Sequence, residues 1–174
     1  MQQYRSIIFD LGGVIINLNM AATLQAFRQL AQNADSELLE QGDNHPLFAQ
    51  YQGGAISSAE FRNTLRRLLN NEVPDKEIDT AWNAMLLDIP AERLRLLERL
   101  SQHFELYLFS NTNDIHYHGF NGILQRDHNL PDLSSLFTAT YYSHLLGQSK
   151  PSPKAFQTII DRHGLNPAAT LFLD

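Results

Sequence analysis

Three short apolar runs in this chain each end at a polar residue, although they lie far apart in the sequence. The runs cover 6–11, 104–109 and 170–173, and the polar residues are Asp10, Ser110 and Asp174. Apolar runs of this length predict buried strands, and a weaker strand is predicted at 138–142. Helical patterns cover 91–102 and 153–163, the second ending before Gly164 as a predicted C-cap. Strands that alternate with helices predict a doubly wound, Rossmann-like α/β fold with a mainly parallel sheet.

Residues 17–87, between the first strand and the rest of this pattern, have the sequence of several short helices. Ser57 and Glu60 predict a capping box at the start of one of them, because serine is a good N-cap and the glutamate follows three residues later. We therefore expect an α/β core formed by 1–16 and 88–174, with a small helical cap inserted over 17–87.

Composition and charge exclude several classes of protein. With 43% hydrophobic and 18% charged residues among 174, the chain can form a packed core. The net charge of -6 and the lack of a basic run argue against nucleic acid as a partner. The absence of cysteine excludes disulfide scaffolds, zinc–thiolate sites and cysteine nucleophiles. No apolar run approaches transmembrane length and no signal peptide is recognised, so we expect a cytoplasmic protein without a membrane partner.

The polar residues at the strand ends are candidates for one ligand site. In an open parallel sheet, the carboxyl ends of the strands face the crevice in which ligands bind. We expect Asp10, Ser110 and Asp174 to converge there, together with Lys150 from a later loop. The glycine pair 12–13 would let the backbone come close to a ligand.

Four segments resemble, in the correct order, the four motifs of the haloacid dehalogenase-like hydrolases. They are FDLGGV at 9–14, LFSN at 108–111, SKP at 149–151 and LFLD at 171–174. Each motif alone is weak, but the four together are specific and cover almost the whole chain. The helical insertion is similar to the cap of the subfamily with sugar-phosphate phosphatases and epoxide-hydrolase N-terminal domains. The resemblance implies a Mg²⁺-dependent phosphatase of a small phosphorylated metabolite, with sugar phosphates as candidates.

The resemblance also implies roles for individual residues. Asp10 would be the nucleophile that forms an aspartyl-phosphate, and Lys150 would neutralise the nucleophile and the transferring phosphoryl group. Ser110 and Asn111 would bind the phosphoryl oxygens. His45, in the helical insertion, is a further candidate for contact with the substrate.

The metal expected from the resemblance is Mg²⁺, which prefers hard oxygen ligands. Its ligands would be the carboxylates of Asp10 and Asp174 and the backbone carbonyl of Gly12. Gly12 is also expected to lie against the bound substrate.

Two features depart from the family pattern. The family usually carries a second aspartate two residues after the nucleophile, as a general acid and base, whereas this chain has Gly12. The family also normally continues beyond the fourth motif with another acidic residue, a helix and a strand. We therefore expect the chain to be truncated after Asp174.

Two alternative functions stay open at this point. A 2-haloacid dehalogenase would use the same nucleophile without a metal, although those enzymes usually carry an aromatic residue at the position of Gly12. A non-catalytic binding protein on a degenerate hydrolase scaffold would explain both departures. The sequence predicts neither the identity of the substrate nor an oligomeric state.

Several other polar residues have a simpler interpretation. Asp114, His116 and His118 follow the second motif and are expected to be polar loop residues, with metal binding as a weaker alternative. His45 or His116 is a candidate to replace the missing general base. Trp82 is expected in the interior of the helical insertion, not as a platform for a sugar.

Overall fold

The central sheet has four strands in the described part of the chain, and all of its pairings are parallel. The computed structural model describes residues 3–32, 38, 41 and 44–174. The strands are β1 (Ser6–Phe9), β2 (Glu105–Ser110), β3 (Ala139–Tyr142) and β4 (Thr170–Leu173), in the spatial order β3-β2-β1-β4. This parallel sheet confirms the predicted doubly wound α/β fold.

The order of the strands determines where polar groups gather. From β1 the chain adds β2 and then β3 on one side, and β4 pairs on the other side of β1. Phe9 is paired with both Leu108 and Leu173, so the three neighbouring strands end at the same edge of the sheet. In such sheets a ligand crevice forms where the strand order reverses, outside the carboxyl ends of the strands.

Helices cover both faces of the sheet. They are α5 (Ala91–Leu100), α6 (Asp114–His128), the short α7 (Ser143–Leu146) and α8 (Pro153–His163). Side chains alternate along a strand, so Ile7 and Phe9 pack on one face with α5 and α6 residues. Ile8 packs on the other face with Ile159 of α8. Gly164 ends α8 in the left-handed conformation, as predicted.

Further helices lie between β1 and α5 in the chain, and we call those within 3–32 and 44–174 the inserted helices. They are α1 (Met20–Leu30), α2 (Pro46–Gln52), α3 (Ser58–Leu69) and α4 (Asp75–Asn83). They form a separate hydrophobic cluster that includes Trp82, which is 4% exposed, so its predicted burial is confirmed. The predicted capping box is also present: Ser57 Oγ accepts from the Glu60 backbone N–H, and the Ser57 N–H donates to the Glu60 carboxylate at 2.8 Å.

The prediction of a polar loop after β2 is wrong, because Asp114, His116 and His118 all belong to helix α6. Asn113 begins this helix, and its Oδ1 accepts from the His116 backbone N–H at 3.0 Å. Ile115 in the first turn packs into the cluster of the inserted helices. The first turn of α6 also makes a polar contact with the inserted helices, because Asp114 accepts a hydrogen bond from Ser58 Oγ at 2.8 Å.

Two chain segments connect the inserted helices to the sheet, and they pair with each other. The Asn17 N–H donates to the Asp88 carbonyl at 2.9 Å, and the Asn19 N–H donates to the Met85 carbonyl at the same distance. None of the helices in the described ranges is long and apolar enough to cross a membrane.

Candidate active site

Three charged side chains meet at the carboxyl edge of the sheet. The Lys150 ammonium lies 2.7 Å from Asp10 Oδ1 and 3.1 Å from Asp174 Oδ1. The carboxylates of Asp10 and Asp174 are neighbours because they follow the paired strands β1 and β4. The Asp10 N–H donates to the Leu173 carbonyl at 2.8 Å, which extends the hydrogen bonding between these two strands. The predicted convergence of Asp10, Lys150 and Asp174 is therefore present in the structure.

Burial and charge act in opposite directions on these carboxyl groups. Burial raises the pKa of Asp10, Lys150 opposes that rise, and Asp174 adds to it. The pKa of Asp174 is lowered by its hydrogen bond with Asp10 and then by Lys150. Lys150 is thus the group that favours the ionised, nucleophilic form of the partly buried Asp10. Asp10 Oδ1 also accepts from the Leu11 N–H at 2.7 Å, so two donors fix this oxygen.

Asn111 holds the loop that carries Lys150. Its Nδ2 donates to the Lys150 carbonyl at 2.9 Å, and its Oδ1 accepts from the Lys150 N–H at 2.9 Å. This reciprocal pair resembles a pair of backbone hydrogen bonds between strands. The sequence suggested Asn111 as a phosphate ligand, whereas its side-chain amide is committed to the neighbouring loop.

A cavity of about 320 Å³ opens between the sheet edge and the inserted helices. Asp10, Gly12, Ser110 and Asn111 line it from the sheet side. Ser110 ends β2 and is 3% exposed, and it is one of the residues that line this cavity. This size lies at the lower end of the range for small-molecule sites.

His45 is in a different environment. It is 9% exposed and is the N-cap of α2, where its Nδ1 accepts from the Leu47 N–H at 3.2 Å. Lys150, Asp174 and His45 are not among the residues that line the cavity. Lys150 and Asp174 contact Asp10, which lines the cavity. The His45 ring contacts Phe48 of the opposite wall, with ring centroids 6.1 Å apart.

His116 was not predicted to be buried, yet it lines the cavity and is 5% exposed. Its ring stacks on Trp82, with centroids 4.7 Å apart. Nε2 lies 3.0 Å from the Trp82 carbonyl, so it must carry the proton, and Nδ1 accepts from Asn113 Nδ2 at 3.2 Å. Burial lowers the pKa of His116 to about 4. The ring is therefore neutral, and both of its nitrogens are engaged, which argues against His116 as the substitute base.

The start of α6 has one sequence signal that the prediction of a polar loop overlooked. Asn113 precedes the acidic residue Asp114, and this order is typical of a helix N-terminus. The burial of His116 had no such signal, because it depends on a contact with Trp82 from a distant part of the chain.

The carboxylates of Asp10 and Asp174 are suitable ligands for a small hard cation. The Lys150 ammonium already lies between them, so one positive charge can contact both. Within the described residues, no group of three or more His, Cys, Asp or Glu side chains could form a metal site on its own. Two carboxylates suit Mg²⁺, which keeps several waters and binds phosphate oxygens.

The chain is similar to several known proteins over nearly all of its length. The chain is 28% identical over 170 residues to a D-ribitol-5-phosphate phosphatase of Bacteroides thetaiotaomicron, covering 98% of this chain and 82% of that protein. A HAD family enzyme of the same organism, solved with magnesium and inorganic phosphate, is 32% identical with a TM-score of 0.85, covering 97% of this chain and 83% of that chain. A predicted HAD-like family hydrolase from Porphyromonas gingivalis is 30% identical with a TM-score of 0.87, and the match covers 98% of this chain and 81% of that chain.

The model of one enzyme family matches residues 4–174, which is nearly the entire chain. The same range contains the parallel sheet, the inserted helices and the charged residues at the sheet edge. The chain belongs to the haloacid dehalogenase-like hydrolases.

Proposed function

We propose that this hydrolase is a Mg²⁺-dependent phosphatase that acts on a small phosphorylated metabolite, with sugar or polyol phosphates as the first candidates. The observation that carries the proposal is the Asp10 carboxylate, held by Lys150 at 2.7 Å and open to a cavity of about 320 Å³. The magnesium and phosphate bound to one similar enzyme and the polyol phosphate named for another support it.

In the proposed reaction, Asp10 attacks the phosphorus of a monoester. Its Oδ1 accepts from Lys150 and from the Leu11 N–H, so Oδ2 is the oxygen free of these two donors. A new O–P bond forms from Oδ2 while the bond between phosphorus and the ester oxygen breaks, and the alkoxide that leaves with this oxygen takes a proton from solvent. Water then attacks the phosphorus of the aspartyl-phosphate and gives up a proton to solvent, which releases phosphate and restores the carboxylate.

Other residues would stabilise the transferred group. Ser110 would donate its hydroxyl to a phosphoryl oxygen, and Lys150 would neutralise charge on Asp10 and the phosphoryl group. The expected ligands of Mg²⁺ are Asp10, Asp174 and the Gly12 carbonyl, and the ion would offset charge between the carboxylate and the phosphate. Asn111 would contribute by fixing Lys150.

We also propose that residues 17–87 act as a cap over this site. The inserted helices provide one wall of the cavity, including Phe48 and Trp82. Such a wall would exclude bulk water from the reacting groups and would select the organic part of the substrate.

The decisive experiment replaces Asp10 by asparagine, which keeps the size of the side chain but removes its charge. Asp10→Asn should abolish nearly all turnover of phosphomonoesters with Mg²⁺ present, whereas the matched variant Asp161→Asn on α8 should keep full activity. Activity of Asp10→Asn within about tenfold of wild type, a barrier change of only ~1.4 kcal/mol, would contradict the proposal.

The same assay separates the alternative functions. Phosphatase activity that is lost with a chelator and restored by Mg²⁺ supports the proposal. Metal-independent release of halide from a 2-haloacid would identify a dehalogenase. Binding of a phosphate analogue without turnover of any ester would identify a non-catalytic protein.

A further inference from the structure

The wall that the inserted helices contribute to the cavity is uncharged. Apart from apolar side chains, it contains Thr23, Gln52 and Trp82. Among the described residues that line the cavity, Asp10 is the only carboxylate, and Lys and Arg do not occur. The organic part of a ligand in this cavity therefore meets no opposite charge from the inserted helices.

Most hydrogen-bonding groups of this wall are already used within the protein. Thr23 Oγ1 donates to the Trp82 carbonyl at 3.0 Å, and Trp82 Nε1 donates to Asn113 Oδ1 at 3.0 Å. The neighbouring His116 also has both ring nitrogens engaged. These donors are not available to a ligand unless an internal hydrogen bond breaks.

Gln52 is different, because its side-chain amide makes no hydrogen bond with any residue in the described ranges. Its backbone is held firmly, since the Gln52 carbonyl accepts from the buried Ser143 Oγ at 2.6 Å. The neighbouring Gly54 lets the end of α2 lie close to α7, because a Cβ at Gly54 would be 2.4 Å from the His144 carbonyl oxygen. Gln52 is thus a fixed residue of the cavity wall with an unused amide.

We propose that Gln52 determines specificity by hydrogen-bonding a hydroxyl of the substrate, and that the substrate is the phosphate monoester of an uncharged, hydroxyl-bearing alcohol. This inference rests on the phosphatase function proposed above. An amide donates and accepts, and so does a hydroxyl, so the two groups match. A carboxylate or a second phosphate would lose water in this cavity without gaining a positive partner.

The test compares three esters of similar size: a pentitol phosphate, pentyl phosphate and phosphoglycerate. The wild-type protein should prefer the pentitol phosphate to both others. Gln52→Leu should lower kcat/KM for the pentitol phosphate about 3- to 10-fold, mainly through KM, and should leave pentyl phosphate within about twofold. Gln50→Leu, on the same helix but exposed, is the matched control and should change neither value.

A second variant guards against a simple loss of folding. Gln52→Glu keeps the size of the side chain and should shift preference from pentyl phosphate towards aminopentyl phosphate several-fold, because the new carboxylate attracts an ammonium group. Unchanged selectivity in both variants, or an equal loss on all esters, would overturn the assignment of Gln52 alone. Failure of the wild-type protein to hydrolyse any ester would overturn the proposed function and this inference with it.

Discussion

Gly12 leaves the candidate site without a general acid and base at the position where the family usually has one. Its backbone is not in the left-handed region, so a side chain is compatible with the conformation. A Cβ at Gly12 would, however, lie 2.8 Å from Leu18 Cδ1. The neutral, doubly hydrogen-bonded His116 does not replace the missing acid. We therefore expect hydrolysis of the aspartyl-phosphate to be the slow step.

This expectation can be tested by restoring the carboxylate and making room for it. With nitrophenyl phosphate, whose leaving group needs no proton, the wild-type protein should give a burst followed by slow turnover. Gly12→Asp combined with Leu18→Ala should speed the slow phase more than the burst, within the range of about 10²–10⁴ typical of such catalysis. Leu18→Ala alone is the control. A fast wild-type enzyme without a burst, unaffected by the added aspartate, would contradict this prediction.

Asn111 joins the loop after β2 to the loop that carries Lys150, so its effect on catalysis should pass through Lys150. Asn111→Ala should lower kcat/KM by roughly 10- to 100-fold, because small displacements of a catalytic group are costly. In a Lys150→Ala background the same change should have little further effect. Asn166→Ala, which removes a cap far from the site, should be neutral for kcat/KM. If Asn111→Ala lowered kcat/KM by the same factor in the wild-type protein and in the Lys150→Ala background, Asn111 would act directly on the substrate.

The buried His116 in the first turn of α6 makes the free energy of unfolding depend on pH. The ordinary pKa of 6.5 for His116 falls to about 4 in the folded protein. Between these values the unfolded chain binds a proton that the folded chain does not. The free energy of unfolding is therefore unaffected above pH 6.5 and decreases as the pH falls towards 4, by up to about 3 kcal/mol. In urea titrations, His116→Gln should lose this contribution, whereas His118→Gln, at an exposed position of the same helix, should retain it.

The contrast between α8 and α6 shows what local patterns can predict. Helix α8 was predicted with both of its ends, because a proline begins it and Gly164 ends it. Helix α6 was missed, because its first turn contacts the inserted helices and its later part contains two glycines. The convergence of Asp10 and Asp174 could be predicted, because each follows a short apolar run and parallel strands end at the same edge of a sheet. The hydrogen bonds of Asn111 to the Lys150 backbone could not be predicted, because they join two loops that are distant in the sequence.

The inserted helices and the sheet share structure across their boundary, so we expect them to unfold together. Ile115 belongs to a helix that packs on the sheet, yet its side chain lies in the cluster of the inserted helices. The Tyr51 hydroxyl accepts from the Ile115 N–H at 3.1 Å and contacts Ser58 Oγ at 2.8 Å. Ser58 Oγ donates in turn to Asp114 at 2.8 Å. Loss of packing in either part would expose buried polar groups in the other.

Trp82 makes this expectation measurable, because it is the one tryptophan in the chain and lies within the cluster of the inserted helices. Its fluorescence reports on that cluster, whereas far-UV circular dichroism reports on all helices, and the two urea transitions should coincide. Tyr51→Phe would leave the buried Ile115 N–H without its acceptor, so both transitions should move together to lower urea, by about 1–3 kcal/mol in the free energy of unfolding. Tyr117→Phe is the control, since the Tyr117 hydroxyl makes no hydrogen bond with a described residue. A fluorescence transition at clearly lower urea than the dichroism transition would show that the inserted helices unfold independently.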